Sequence, residues 1–507
     1  MKIKRLPLWA TLAASGFLLI AASSNSVVGG LRAHGPLLQS LQDQKNPRPG
    51  ASPQTSIPPV VKAPSNLVVS PFFRISQASA VSADRAARFA EAAYNPDDNE
   101  YLVVWQSDGL TEVRGVTDVY GQRINAATNQ PNGISFRISN LSDGNRDHSA
   151  IHPQVVYNKT AREYLVVWHG SGLVNSEDKF FEIYAQRLNR SGREIGGDFR
   201  ISHLTELGKV NTSFVRVNSQ AQVAWNSTNN EYLVIWNGIG EPEDVVKKEI
   251  YGQRLKANGE LLGKHFRISH TTDQGSNFHA SAPAIAYNSR GNQYLVVWSG
   301  GFKKETQIEV WGRVLSASGE LISTTDFLIS QVSTGRRYGS PHVDYNSDNN
   351  EYLVVFHANT SPGGATANLN EIFAQRIDTK PGETEPNNIR VSNTEGAGSR
   401  ASIPTVTYNG VNKEYLVIWR SVRANVPIEI WGQRISSSGS EIEVDFQISN
   451  IAAAGKDRSV NNPSLTYNGT NGHYLIVWQG NPLAGATGAQ INEIFGQQLV
   501  LARPQRQ

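Results

Sequence analysis

The chain has 507 residues, of which 18% are charged and 39% hydrophobic, with a formal net charge of +3. That balance describes a folded globular protein and excludes the large single-sign field on which nucleic-acid binding depends, so no nucleic-acid partner is expected. Cysteine is absent, which excludes disulfides, thiolate metal sites and cysteine nucleophiles and leaves stability to packing.

At the N-terminus, Lys2, Lys4 and Arg5 precede the apolar stretch Leu8 to Ala22, and the small residues Ala21, Ala22, Ser23 and Ser24 stand at its end. This three-part layout predicts a secretory signal peptide over 1–24, a secreted or periplasmic protein, and no membrane span after cleavage. The alternative is an uncleaved anchor. Residues 25–67 carry Pro47, Pro49, Pro53, Pro58, Pro59 and Pro64 with no sustained hydrophobic period, and read as a linker.

From residue 68 to 502 one phrase recurs seven times: Glu100-Tyr-Leu-Val-Val-Trp105, then Glu163 to Trp168, Glu231 to Trp236, Gln293 to Trp298, Glu351 to Phe356, Glu414 to Trp419 and His473 to Trp478. Its tyrosines are 58 to 68 residues apart, room for four short strands with their loops. An extended segment ending in aromatic-Asn, such as Val155-Val-Tyr-Asn158, precedes each copy and predicts a hairpin. A third strand follows, typified by Glu182 to Leu188, and a fourth, typified by Phe199-Arg-Ile-Ser202. The core phrase is almost continuously apolar, as in a strand covered on both faces.

The seventh copy runs through Ile494 to Leu499 without a strand like Phe-Arg-Ile-Ser, whereas Phe73-Arg-Ile-Ser76 precedes the first copy with no strands of its own. In this the sequence resembles closed β-propellers. The resemblance implies an all-β, seven-bladed β-propeller of four-stranded antiparallel blades, the last completed by an N-terminal strand, with a short tail over 503–507. No named propeller subfamily matches, and the protein is expected to be a monomer.

Five repeats join a Glu at the head of the core strand to an Arg near the end of the third: Glu100 and Arg123, Glu163 and Arg187, Glu231 and Arg254, Glu351 and Arg376, Glu414 and Arg434. Where the Glu is replaced, by Gln293 and His473, the Arg is replaced too, by Val314 and Gln498, so direct contact is expected. Every third strand also opens on a carboxylate: Asp118, Glu182, Glu249, Glu309, Glu371, Glu429 and Glu493. Every inter-blade loop carries a basic residue: Arg85, His148, Arg216, His279, Arg336, Arg400 and Arg458. These are the candidate binding residues, on the rim of the loop-rich face, and ion pairs between the two sets are expected by resemblance to the His and Asp that Trp-Asp-repeat propellers use to tie the same loops.

No catalytic residue, metal ligand or cofactor emerges. The one His-x-x-x-His spacing, His148 to His152, falls in a predicted loop, and there is no His-Glu-x-x-His, Gly-x-Ser-x-Gly or phosphate-binding loop. Turns such as Asn95-Pro-Asp-Asp-Asn99 lack the full calcium-loop spacing and read as backbone-bonding turns. The expected function is non-catalytic recognition of a glycan or protein outside the cytoplasm, through the loop-rich face. The alternative is a carbohydrate-active enzyme, a polysaccharide hydrolase or lyase, with its site on the same face.

Overall fold

A computed structural model of the chain describes residues 67–77, 86–108, 116–140, 149–171, 181–203, 221–238, 248–271, 279–301, 308–323, 325–330, 338–360, 369–378, 388–394, 399–423, 426–450, 459–481 and 492–501. The expected signal segment, the linker up to residue 66 and the tail lie outside them. Among the described residues no helix is long and apolar enough to cross a membrane.

The core phrase forms the second strand of each blade, and its alternating side chains serve two different cores. Leu102 and Val104 pack with Tyr164, Val166 and Trp168 of the next repeat. Tyr101, Val103 and Trp105 turn the other way, toward Leu475, Val477 and Ile494 of the last. A strand between two cores cannot alternate apolar with polar, which is the reason for the unbroken apolar run. The innermost strands, Ala87–Asn95, Ser149–Asn158, Gln222–Asn226, Ser281–Asn288, Tyr338–Asn346, Arg400–Asn409 and Val460–Asn468, neighbour one another in that order around an axis, and the last lies against the first. The fold is an all-β propeller of antiparallel blades.

The expectation of seven separate four-stranded blades is corrected. Four sheets are four-stranded and one is five-stranded, giving five discrete blades, while the strands from Tyr338 to Gln447 are hydrogen-bonded into a single eight-stranded sheet. The physical cause is a parallel pairing of Asn370 with Arg400, which joins the third strand Asn370–Asp378 to the innermost strand Arg400–Asn409. The five-stranded sheet contains two N-terminal strands, Leu67–Val69 and Phe73–Arg74, both paired with Glu493–Leu501.

The Phe-Arg-Ile-Ser strand docks the same way throughout. Its Ser accepts a hydrogen bond from a third-strand amide, as Ser139 does from Val119 at 2.9 Å, and donates to the opening carboxylate, Asp118, at 2.9 Å. The same arrangement holds Glu182 to Ser202, Glu249 to Ser269, Glu309 to Ser330, Glu371 to Ser392, Glu429 to Ser449 and Glu493 to Ser76. Its Arg pairs with that carboxylate in Arg137–Asp118 (3.0 Å), Arg267–Glu249 (2.7 Å), Arg390–Glu371 (2.9 Å) and Arg74–Glu493 (2.5 Å). Phe and Ile fill a socket over a third-strand glycine: a Cβ on Gly121 would lie 2.8 Å from Ile138 and 3.2 Å from Phe136, and one on Gly496 2.8 Å from Phe73 and 2.9 Å from Ile75. The N-terminal segment thus fits the last sheet as each outer strand fits its own.

All five Glu–Arg pairs form, at 2.6 to 2.8 Å. The Arg is also a link to the following repeat, donating to a turn carbonyl there: Arg123 to Ser191, Arg187 to Asn258, Arg254 to Ser318 and Arg376 to Ser438. Gln498, which replaces the Arg in the last repeat, keeps that link through Ala126 at 2.9 Å.

Removing the N-terminal strands exposes the edge of Glu493–Leu501 and strands a buried carboxylate. A chain beginning at Val81 should melt well below one beginning at Asn66, and Ser76→Ala should cost about 1–3 kcal/mol, the usual penalty of an unsatisfied buried group. Equal melting temperatures would refute closure by this segment. A double-mutant cycle on Glu231 and Arg254, which are partly exposed, should give a coupling of about 0.2–1 kcal/mol in denaturant melts.

Candidate functional site

The axial channel is lined by the innermost strands, and five of them approach the axis through the same distortion at a proline. At the waist the pairing with the core strand slips, as between Ile151 and Gln154, Ser281 and Ala284, Gly339 and His342, Ser402 and Thr405, and Asn461 and Ser464. In each slip a residue before proline takes a left-handed backbone: His152, Ala282, Ser340, Ile403 and Asn462, with φ from 47° to 54°. The proline is tolerated because the innermost strand is a sheet edge and needs no ladder donor there. For Ile403 the conformation is strained, as β-branched residues avoid it. The amide freed by the slip is satisfied from a neighbouring repeat: His152 N donates to Gln106 at 2.8 Å, and Phe89 N to Gln479 at 3.0 Å.

These bulges enclose a waist cavity of about 200 Å³. At the position after the proline, or after Ala90 and Ala221 in the two repeats that lack one, the side chains are Glu91, Gln154, Gln222, Ala284, His342, Thr405 and Ser464, all lining the cavity and nearly all different. Glu91 accepts a hydrogen bond from Ser464 at 2.6 Å. Burial pushes its carboxyl up to about 7, against the lowering effect of Ser464 and Gln154. His342 accepts from Val406 N at 3.4 Å, and burial holds its imidazole down to about 4, so it is neutral at neutral pH. Beside it Asp344 accepts from Tyr408 N at 2.7 Å and Thr407 at 3.1 Å, its carboxyl raised by burial. His152 stacks edge-on against Phe89 with ring centres 4.0 Å apart, and it too is held down to about 4 by burial.

Toward the hairpin turns the channel opens into a second cavity of about 600 Å³, among whose lining residues are Tyr94, Tyr157, Trp225 and Tyr467. These are the aromatics of the aromatic-Asn pairs. Each Asn is fully buried and holds its turn, as Asn226 accepts from the amides of Thr228 and Asn229, both at 2.9 Å.

Of the candidate rim residues, Arg85, His148, Arg216, Arg336 and Arg458 lie outside the described residues. His279 is exposed, accepts from Lys248 N at 3.0 Å, and is lowered by burial and then by Lys248. Arg400 is exposed at the start of its strand; among the described residues it forms no ion pair, and its charge depresses the guanidinium of Arg420 after burial has done so. Among the described residues the outer-strand Ser and Arg described above hold the third-strand carboxylates, and the ion pairs expected of the five other basic residues lie outside them. The waist was missed because it carries no motif. Its one signal was the recurring Pro153, Pro283, Pro341, Pro404 and Pro463, each four residues before the hairpin aromatic.

Comparison with known proteins identifies no family. No family model matches the chain, and no curated protein is significantly similar. An α-L-arabinofuranosidase from Fusarium graminearum is 12% identical over 71% of this chain and 94% of its own, with a TM-score of 0.45. A polysaccharide lyase is 9% identical over 82% and 90%, with a TM-score of 0.49. The β-propeller domain of the Trilobed protease from Pyrococcus furiosus is 9% identical over 81% and 93%, with a TM-score of 0.43.

One carboxylate supplies a pH test of the outer-strand motif. Glu309 is buried on Ser330, but its strand reads Phe327-Leu-Ile-Ser330, so Leu328 stands opposite Trp311 where Arg390 stands opposite Phe373. Burial raises this carboxyl from 4.5 to about 7. The fold prefers the protonated form, so its contribution is fully present below about pH 4.5 and is lost as pH rises through about 7. Leu328→Arg should restore the pair and abolish this loss, raising the melting temperature relative to the natural chain above pH 7 and not below pH 4.5. A difference in melting temperature that does not change with pH would refute the assignment.

Proposed function

We propose that the protein is an extracytoplasmic recognition module that binds a carbohydrate in its axial channel. The observation that carries this reading is the break in symmetry at the waist. Docking serines, core phrases and turn asparagines repeat around the ring because a scaffold has the same need in every repeat. The waist positions repeat only in Gln154 and Gln222, and with Glu91, His342, Thr405 and Ser464 they supply one carboxyl, two primary amides, an imidazole and two hydroxyls. An asymmetric set of groups that both donate and accept suits a ligand bearing many hydroxyls. A cavity of about 200 Å³ admits the end of such a ligand, not the surface of a folded protein.

Recognition is favoured over hydrolysis because two-carboxylate glycoside cleavage needs an acid and a second carboxylate across the scissile bond. Glu91 is the one carboxylate among the described residues lining the waist. A second reading, carbohydrate-active enzyme, rests on Glu91 itself, since a carboxyl near 7 is placed to deliver a proton at neutral pH.

A glycan array combined with a depolymerisation assay separates the two. Recognition predicts binding without product, weakened about tenfold or more by Glu91→Gln. Product release by the natural chain, cut about a hundredfold or more by Glu91→Gln, would establish the enzyme. Binding to no glycan would refute both.

A further inference from the structure

Six of the seven hairpin aromatics are tyrosines, and several reach across the seam to the preceding repeat: Tyr94 to Thr470 at 2.7 Å, Tyr157 to Asp97 at 2.5 Å, Tyr287 to Thr228 at 2.7 Å, Tyr408 to Asp348 at 2.5 Å and Tyr467 to Asn409 at 2.9 Å. These bonds fix the rings around the turn-side mouth. The seventh aromatic is Trp225. Its indole N–H bonds Asn230 of its own turn at 3.3 Å, so the inter-blade bond available to a tyrosine is given up there. The exchange brings no deeper burial: Trp225 is half-buried and lines the cavity of about 600 Å³ together with Tyr94, Tyr157 and Tyr467.

We propose that this mouth is a stacking subsite for one sugar ring, with Trp225 as the platform; the proposal rests on the carbohydrate reading above and assigns its ligand a second point of contact, on the turn side of the channel. The chemistry of the lining selects the class. Rigid aromatic faces offer apolar area at little cost in side-chain entropy. Thr466 and Thr470 supply hydroxyls at the cavity wall, and Lys159 gives it a positive charge that discriminates against cationic ligands. A pyranose, apolar on its faces and hydroxylated at its edge, matches both features. The volume falls within the usual range for small-molecule sites, about 300–1,000 Å³. The cavity stands at the hairpin-turn end of the innermost strands, so a chain threading the waist would end on Trp225.

The test uses the full chain, a glycan that it binds in the array, and titration calorimetry on Trp225→Ala and Trp225→Tyr. Trp225→Tyr is the control for folding, because tyrosine occupies this position in every other repeat. Trp225→Ala should weaken binding about tenfold, with Trp225→Tyr intermediate and both melting temperatures close to that of the natural chain. Natural affinity in Trp225→Tyr and Trp225→Ala, with Glu91→Gln impaired, would overturn the subsite and leave the waist reading standing. A natural chain that binds no glycan would remove both. Should Trp225→Ala not fold, natural affinity in Trp225→Tyr together with no stacking shift of the sugar ring protons in NMR would overturn the subsite.

Discussion

A sheet whose two faces are both apolar must be covered on both, and that requirement governs everything else in this molecule. Each core strand sends Leu and Val to one neighbour and Tyr, Val and Trp to the other, so no repeat can bury itself alone. The only arrangement without an uncovered face is a ring. Closing it brings a set of edges to the axis, where the innermost strands have no partner on one side, and a set to the rim, where the outer strand must be held by something other than a further strand. The waist bulges answer the first problem and the buried serine-carboxylate contact the second.

The two solutions differ in what they allow. At the rim the same contact recurs between Ser and carboxylate in every repeat, while its flanking residues change, as in Leu328, Gln447 and Ile389 with Val391. Conservation of geometry there follows from burial: a carboxylate at the base of a strand costs several kcal/mol unless its oxygens are bonded. At the axis the backbone bulge recurs while the side chains vary, because a side chain pointing into a channel is released from packing. Chemical freedom in this fold is therefore concentrated where the backbone is most constrained, and Glu91, His342 and Asp344 sit there.

Much of this was legible in the sequence. The core phrase announced strands covered on both faces, the orphaned Phe73-Arg-Ile-Ser76 announced its place on Glu493–Leu501, and the joint loss of Glu and Arg in two repeats announced the pairs in the other five. The merging of strands from Tyr338 to Gln447 into one sheet was not legible, because it depends on a single backbone pairing at Asn370 and Arg400 that involves no side-chain pattern. The serine's part in holding the third-strand carboxylates was not legible either: in the sequence it ends a strand motif, and only the depth at which that strand lies makes its hydroxyl the carboxylate's donor. The waist escaped notice because repetition was the guide, and the residues that differ from repeat to repeat are those that repetition discards.

The fit of Phe73 and Ile75 over Gly496 also orders events in time. The segment that completes the ring is synthesised before any repeat exists, while its socket, 417 residues away at Glu493, is among the last to appear. Until then the strand has nowhere to pair, and each finished repeat presents one uncovered face to the next. Contacts of such separation are formed slowly, since the loop they close is nearly the whole chain. Ring closure is consequently expected late in folding, and the interval before it is when exposed edges are open to the wrong partner.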